Sequence, residues 1–329
     1  MSAVSPFAPP FWLRSGHANT VYSFLRPRGI RLPEAHADWI SAAPGVDILV
    51  RSHWQAYPAP ALVLVHGLEG TSEAGYMLTT AALALARGWH VLRMNVRGCG
   101  DSEPRCDTLY NSGKSEDVAR VLEWVASRGI RTGMVTGVAL GGFSMGGNLA
   151  LKCAAELHPE ARPRAVVAVS PCLDLAACAR ALHRKVNYFY EQRFLRSLKQ
   201  RLRRHAARFP GRYPLEKLDG MRSVRDFDDA ITAPFTGYRD ADDYYARASA
   251  ARVLDDIQTP TLVLYAEDDP FIVITPASRA RMAANPWMQF ETLPHGGHCA
   301  FINSRRHGDS VYWAETRLVE FLAEFCPAH

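Results

Sequence analysis

The sequence predicts an α/β fold, in which helices cover both faces of a mostly parallel, twisted β-sheet and a mainly helical lid is inserted. From about residue 46 onward, short runs rich in apolar and β-branched residues alternate with helical stretches, which is typical of such a sheet. A serine flanked by glycines lies where one of these runs gives way to a helix. Between about residues 174 and 251 the alternation stops, because that interval contains no strand-like run.

Seven apolar runs predict the strands of the sheet. Most of them are continuously apolar, such as Ala61 to Val65 and Ala165 to Val169, and such runs are typical of strands buried on both faces. The predicted strands cover residues 47–54, 61–65, 90–95, 138–143, 165–169, 261–266 and 288–293.

Helices are predicted where apolar residues recur at intervals of three or four along the chain. They cover residues 75–87, 115–128, 146–157, 276–284 and 309–325. The last of these has an amphipathic pattern, which is carried by Val311, Trp313, Leu318, Phe321 and Leu322.

The domain organisation that we expect is one catalytic domain, residues 46–329, preceded by an arm, residues 1–45, that packs on it. The chain of 329 residues is 48% apolar, which is ample for one large core. The arm is rich in proline and aromatic residues. The interval 174–251 is predicted to be a mainly helical lid, because a structureless loop of that length is improbable inside a compact domain.

Composition narrows the class of protein. The first residues show no basic segment followed by an apolar run, and no stretch of 18 apolar residues occurs, so we expect a cytoplasmic protein without a membrane-inserted segment. Seven cysteines, without a CxxC pair or a histidine cluster at zinc spacing, predict free thiols and no metal site. A net charge of +5 without a recognisable motif argues against nucleic-acid binding.

One stretch of the sequence, from Arg193 to Arg208, concentrates basic residues. Leu195, Leu198 and Leu202 lie within it at helical spacing, which favours a surface helix with a solvated basic face. The alternative is weak contact with a membrane surface or attraction of anionic substrates.

The candidate nucleophile is Ser144, in the segment Gly142-Phe-Ser-Met-Gly146. A strand-like run precedes this segment and a helical one follows it, which is the context of a nucleophile elbow. A sharp turn there would hold the hydroxyl above the sheet, and the two glycines would let strand and helix approach each other closely. The alternative is a chance Gly-Ser-Gly match in an ordinary turn.

The candidate oxyanion hole follows the strand that ends at Val65. Acyl transfer passes through a tetrahedral oxyanion, which needs preorganised N–H donors. We expect the backbone N–H groups of Met145, just after the nucleophile, and of Leu68, in the segment His66-Gly-Leu68, to supply them. His66 itself is interpreted as a structural residue that shapes this loop rather than as a catalytic base.

The candidate acid and base lie in two later loops. Asp268-Asp269-Pro270 follows one predicted strand and His295-Gly-Gly-His298 follows the next, and either segment alone also fits a loop cap or an ordinary turn. The order serine, acid, histidine is that of the α/β-hydrolases. We assign Asp269, the carboxylate next to the proline, as the acid, and His298, beyond the two glycines, as the base.

These segments together resemble the YheT-like branch of the α/β-hydrolases, a group of predicted esterases related to lipid-acting eukaryotic proteins. The resemblance spans nearly the whole chain through PPFWLRSGHANTVYSFLRP, HGLEG, NVRGCGDS, GFSMGGN, DFDDAITAPFTGY, DDYYARAS, YAEDDPFI and GGHCAF. It implies a carboxylester or lipid-ester hydrolase with the triad Ser144, Asp269 and His298, and with no metal or cofactor. One departure is Cys299-Ala300, where a glycine more often precedes the phenylalanine.

The predicted function is hydrolysis of a small-molecule or lipid ester through an acyl-enzyme on Ser144. Two alternatives stay open, namely acyl transfer by the same triad and a ligand-binding protein without turnover. The aromatic residues Phe189, Tyr190 and Phe194 of the lid favour a lipid-like acyl group, although they also fit simple packing of the lid on the domain.

Overall fold

The centre of the molecule is a β-sheet with helices on both faces. The computed structural model describes residues 6–304 and 310–327, and within these ranges the sheet has eight strands in the order β1-β2-β4-β3-β5-β6-β7-β8. The strands are β1 (His36–Ala43), β2 (Val46–His53), β3 (Ala59–Val65), β4 (His90–Met94), β5 (Val135–Phe143), β6 (Ala165–Val169), β7 (Thr261–Ala266) and β8 (Met288–Leu293).

Most of the sheet is parallel. Strands β3 to β8 pair in parallel with one another, whereas β2 pairs antiparallel with both β1 and β4. The central strands β3 and β6 are buried along their whole length, as their continuous apolar runs predict. Because the parallel strands share one direction, the loops after β3, β5, β7 and β8 meet at the same edge of the sheet.

The seven predicted strands are confirmed to within a few residues, and one strand was not predicted. Strand β1 lies inside the segment 1–45 that we interpreted as an arm, and it pairs with β2 at the edge of the sheet. Only Ile40 of this strand is fully buried. Its apolar pattern is therefore weak, and pairing with β2 rather than its own sequence holds it in place.

The helices cover both faces of the sheet. They are α1 (Gly16–Leu25), α2 (Gly75–Ala86), α3 (Ser115–Thr132), α4 (Met145–Glu156), α5 (Leu175–Leu182), α6 (Tyr188–Arg208), α7 (Val224–Phe227), α8 (Ala233–Phe235), α9 (Ala241–Ala248), α10 (Pro276–Ala284) and α11 (Trp313–Phe325). No helix in the described ranges combines the length and apolar character needed to cross a bilayer. The predicted last helix began at residue 309, which lies outside the described residues.

Two apolar clusters form the core, one on each face of the sheet. Helices α2 and α11 cover one cluster, and helices α3 and α4 cover the other. Residues 174–251 contain helices α5 to α9 and no strand. Leu195, Leu198 and Leu202 of α6 point inward and extend the second cluster, as their helical spacing predicts.

Helix α1 packs on the domain with its polar side inward. Gly16 and Asn19 are buried, and the Asn19 side chain donates to the Leu13 carbonyl and accepts from the Ile302 N–H. The apolar residues Val21, Phe24 and Leu25 of the same helix are exposed.

Candidate active site

Ser144 lies at the turn between strand β5 and helix α4, where the sequence places the candidate nucleophile. Its backbone has a φ of 55° and a ψ of −119°, a conformation that non-glycine residues seldom adopt. A Cβ at Gly142 would come within 2.2 Å of the Gly146 carbonyl oxygen, and one at Gly146 within 2.3 Å of the Val65 oxygen. Both glycines are therefore required for the close approach of strand and helix.

The structure brings the three predicted triad residues together. The Ser144 hydroxyl lies 3.0 Å from His298 Nε2, and His298 Nδ1 lies 2.9 Å from Asp269 Oδ2. The buried Asp269 carboxylate also accepts the N–H groups of Phe271 and Ile272 through its other oxygen. These bonds fix the carboxylate so that the Nδ1 proton points toward it, which leaves Nε2 free to accept from the serine.

The surroundings of His298 favour its protonated form. Burial opposes charging of the ring, but Cys299, whose Sγ lies 3.8 Å from Nε2, and Asp269 outweigh it and hold the pKa of His298 well above its ordinary value. Cys299 itself has a φ of 52°, as part of the tight loop after β8. A base with a raised pKa becomes neutral, and able to accept the serine proton, at a higher pH than an ordinary histidine does.

The neighbouring pair, Asp268 and His295, forms a separate contact. His295 Nδ1 lies 3.3 Å from Asp268 Oδ2, and Asp268 Oδ1 accepts the Gly297 N–H at 2.9 Å. His295 is exposed to a greater degree than His298. This pair braces the loop that carries His298 and does not contact Ser144.

Two backbone N–H groups near Ser144 are available for an oxyanion. Within the described residues, the N–H groups of Leu68 and Met145 donate to no other group. A Cβ at Gly67 would come within 3.1 Å of the Ser144 Cβ, so the Leu68 loop runs directly beside the serine. These are the two donors that the sequence predicts, and Leu68 and Met145 line the same cavity as Ser144.

His66 shapes this loop. Its Nδ1 lies 2.8 Å from the Gly67 carbonyl and donates to it, and its Nε2 accepts the Val96 N–H at 3.0 Å. Complete burial lowers the pKa of His66 to about 4, so the ring is neutral at ordinary pH. With both nitrogens engaged, His66 has no free atom with which to act as a base.

The sequence analysis missed the contribution of helix α1. The Thr20 hydroxyl donates to the Gly16 carbonyl and accepts the backbone N–H of His298 at 2.8 Å. A Cβ at Gly16 would come within 1.7 Å of the Asp268 carbonyl oxygen. The segment SGHANT, which the sequence analysis used only as part of the family resemblance, therefore contacts and supports the loops that carry Asp269 and His298.

A second missed feature is the buried cluster around Glu69, directly after Leu68. Glu69 has a φ of 57°, and its carboxylate pairs with Arg201 of α6 at 2.9 Å. Tyr110 donates to the same carboxylate at 2.6 Å, and Ser197 also donates to it. Arg201 is therefore buried and paired, which corrects the interpretation of the whole basic stretch as a solvated face.

An apolar cavity adjoins Ser144. Its volume is about 120 Å³. Its walls are mainly apolar side chains of the interval 174–251, among them Leu175, Leu182, Phe194, Leu198 and Phe227. The described residues include no group of three histidine, cysteine or acidic side chains arranged to hold a metal ion.

Comparisons with known proteins show the family of this chain. The profile of the α/β-hydrolase fold family matches residues 60–304. The predicted esterase YheT of Escherichia coli (strain K12) is 34% identical over 280 residues, which cover 83% of this chain and 79% of YheT. Phospholipase ABHD3 of Mus musculus is 28% identical over 246 residues, which cover 74% of this chain and 58% of ABHD3.

A likeness to solved structures supports the same fold. The crystal structure of a 2,6-dihydroxy-pseudo-oxynicotine hydrolase matches with a TM-score of 0.60 at 17% sequence identity. The match covers 90% of this chain and 69% of that protein. At this identity the likeness concerns the fold alone.

Proposed function

Because the chain belongs to the α/β-hydrolase fold family, in its YheT-like branch of esterase- and lipase-type proteins, we propose that it is a serine hydrolase that cleaves carboxylic esters through an acyl-enzyme on Ser144. The observation that carries the proposal is the continuous path of hydrogen bonds from the Ser144 hydroxyl through His298 to the buried Asp269 carboxylate. A serine needs such a base to become a nucleophile near neutral pH.

The proposed reaction has two steps. In the first, Ser144 Oγ attacks the ester carbonyl while His298 Nε2 takes its proton, and the oxyanion accepts the N–H groups of Leu68 and Met145. The C–O bond to the alcohol breaks, and His298 returns the proton to the leaving oxygen. In the second, His298 takes a proton from water, and the water oxygen attacks the acyl carbonyl. His298 then returns the proton to Ser144 Oγ as the bond between Oγ and the acyl carbon breaks and the carboxylic acid leaves.

The proposed substrate carries an apolar acyl group of short to medium length, as in a simple or lipid ester. The cavity beside Ser144 supports this, because leucine and phenylalanine side chains of the interval 174–251 form much of its wall. This interval would act as a lid that sets the acyl length. One relative is named a phospholipase, ABHD3, and this name supports a lipid ester as the substrate within this class.

The test is turnover of esters that differ in acyl length, with wild type and Ser144→Ala compared. We expect Ser144→Ala to lower kcat by at least about a thousandfold, because its removal leaves only oxyanion stabilisation and substrate binding. Activity within tenfold of wild type would rule out Ser144 as nucleophile. Failure of the wild-type serine to react with a fluorophosphonate probe would point instead to a ligand-binding protein without turnover.

A further inference from the structure

Helix α1 presents its apolar residues to solvent, which reverses the usual arrangement. Amphipathic surface helices turn apolar residues inward, yet α1 buries Gly16 and Asn19. Its exposed stripe consists of Val21, Phe24 and Leu25, at 43%, 60% and 67% exposure. A stripe of this kind at spacings of three and four residues is suited to contact with another apolar surface.

The beginning of helix α6 continues this stripe. Tyr188 and Phe189 are 57% and 85% exposed. The two helices are in contact, because the Arg193 guanidinium lies 4.0 Å from the centre of the Phe24 ring, and the ring centres of His17 and Tyr190 are 5.7 Å apart. We call Val21, Phe24, Leu25, Tyr188 and Phe189 the docking face.

A groove leads from the docking face to the candidate nucleophile. Val21, Phe24 and Phe189 line this groove together with Ser144 and His298. The first three side chains are exposed, whereas the His298 side chain is largely buried, so the groove runs from the docking face down to the serine. Whatever covers the docking face therefore lies at the mouth of the candidate active site.

The charge around the docking face is positive. In the described part of the chain, the arginines of α6 that form ion pairs all lie in the C-terminal half of this helix. The pairs are Arg201 with Glu69, Arg203 with Asp219, and Arg204 and Arg208 with Glu103. Arg193 and Arg196, nearer the docking face, have no carboxylate partner among the described residues. Arg184 and Lys185, just before the helix, are exposed and lack one too.

We propose that the docking face binds the surface of a bilayer that contains anionic lipids, with its aromatic and aliphatic side chains among the acyl chains and the unpaired basic groups at the headgroups. Apolar residues ringed by basic ones are the combination that adsorbs to such a surface. A lipid ester would then pass from the bilayer into the groove without crossing water; this last step rests on the proposed hydrolase function, whereas the docking does not.

The test is co-sedimentation with vesicles of phosphatidylcholine alone and of phosphatidylcholine with phosphatidylglycerol. Ser144→Ala is the background, so that no lipid is consumed. The test variant is Leu25→Asp/Tyr188→Asp, whose residues lie outside the groove lining. The matched control is Ile130→Asp/Tyr57→Asp, an exposed aliphatic and an exposed tyrosine near the opposite edge of the sheet.

We expect the Ser144→Ala protein to bind the anionic vesicles. The substitutions of the test pair should weaken this binding by at least about tenfold, whereas those of the control pair should leave it unchanged. Arg184→Gln/Lys185→Gln should weaken it by about tenfold or more. Hydrolysis of a water-soluble short ester, measured with Ser144 restored, should be the same in the test pair as in wild type.

Three results would overturn the proposal. The first is equal vesicle binding by the test and control pairs, and the second is equal binding to neutral and anionic vesicles. The third is a dimer in solution that the substitutions of the test pair dissociate, because this would assign the docking face to a second copy of the chain. Vesicle binding by a wild-type protein that hydrolyses no ester would leave the docking intact and reject the hydrolase function, so the two failures are distinguishable.

Discussion

At the scale of single residues, the candidate triad could be predicted because each member lies in a short sequence pattern. Ser144 is enclosed by glycines at a strand end, Asp269 precedes a proline, and His298 follows two glycines. In the structure Asp269 contacts His298 and His298 contacts Ser144, whereas Asp268 contacts His295. Thr20 could not be found in this way, because its partner His298 lies 278 positions away along the chain.

The raised pKa of His298 predicts the pH dependence of turnover. Since the imidazole must be neutral to accept the serine proton, kcat/KM should rise with pH through a value above 6.5, the ordinary pKa of histidine. Cys299→Ser removes a group that favours the protonated ring, so the rise should move to lower pH. The measurement is a pH profile of kcat/KM for wild type and Cys299→Ser, with Cys326→Ser as a control far from the ring. If the midpoint of the rise in kcat/KM is the same in Cys299→Ser as in wild type, the expectation is wrong.

Thr20 is a positioning residue, because it acts on the loop of His298 and not on the substrate. Thr20→Val keeps the shape but removes the acceptor of the His298 N–H, and we expect kcat to fall by about fivefold to tenfold. Thr20→Ser keeps the hydroxyl and should restore it. The test measures kcat and the thermal unfolding midpoint of wild type and both variants. An equal loss of kcat in Thr20→Val and Thr20→Ser would show that the hydroxyl does not position His298.

Asp228 predicts a pH dependence of stability. Burial raises the pKa of this carboxyl from 3.8 to about 6, despite hydrogen bonds from Thr232 and Tyr245. A raised pKa means that the folded state holds its proton more tightly than the unfolded state. Stability is therefore full below about pH 4 and decreases as pH rises through about 6, by up to about 3 kcal/mol.

Asp228→Asn has no proton to lose, so its stability relative to wild type should increase between about pH 4 and about pH 8. Denaturant unfolding at several pH values measures this difference. Asp219→Asn, at an exposed position, is the control and should show no such trend. A constant difference between Asp228→Asn and wild type across that range would be evidence against the shifted pKa.

At the scale of elements, helix α6 is joined to the loop after β3 by the ion pair of Arg201 and Glu69. Arg201 also donates to the Gly98 carbonyl, so it joins the interval 174–251 to two loops of the domain. The sequence showed only a basic amphipathic stretch. Nothing in the local pattern distinguishes Arg201 from Arg203 or Arg204, because the difference lies in the distant carboxylates that they contact.

Arg201→Met should be strongly destabilising, because it leaves the buried Glu69 carboxylate without its countercharge. We expect a loss of about 3 to 5 kcal/mol in the free energy of unfolding, together with a lower kcat from a displaced Leu68 loop. In Glu69→Gln/Arg201→Met neither charge remains, and most of the stability should return. Urea unfolding measures both, and a double variant as unstable as the single one would argue against a charge effect.

At the scale of the whole molecule, the parallel strands were the most predictable part. Strands β3 and β6 are buried on both faces, and burial of that kind requires continuous apolar runs that are visible in the sequence. The edge strand β1 is held by its pairing with β2 and buries only Ile40. Helix α1 buries Gly16 and Asn19 instead of apolar residues, so neither element has the apolar pattern that predicts a part of the core. What the sequence could not provide were the contacts of Thr20 with His298 and of Arg201 with Glu69, because neither Thr20 nor Arg201 lies in a pattern that indicates its partner.

The close approach of Gly16 to the acid loop also constrains how this protein can be recombined with its relatives. Since any side chain at Gly16 would collide with the Asp268 carbonyl, the N-terminal segment and the loop after β7 must match as a pair. A chimera that takes the first segment from one parent and the remainder from another will work only where both parents share this fit. The segment therefore forms one structural unit with the loops that carry Asp269 and His298 and is not an interchangeable module.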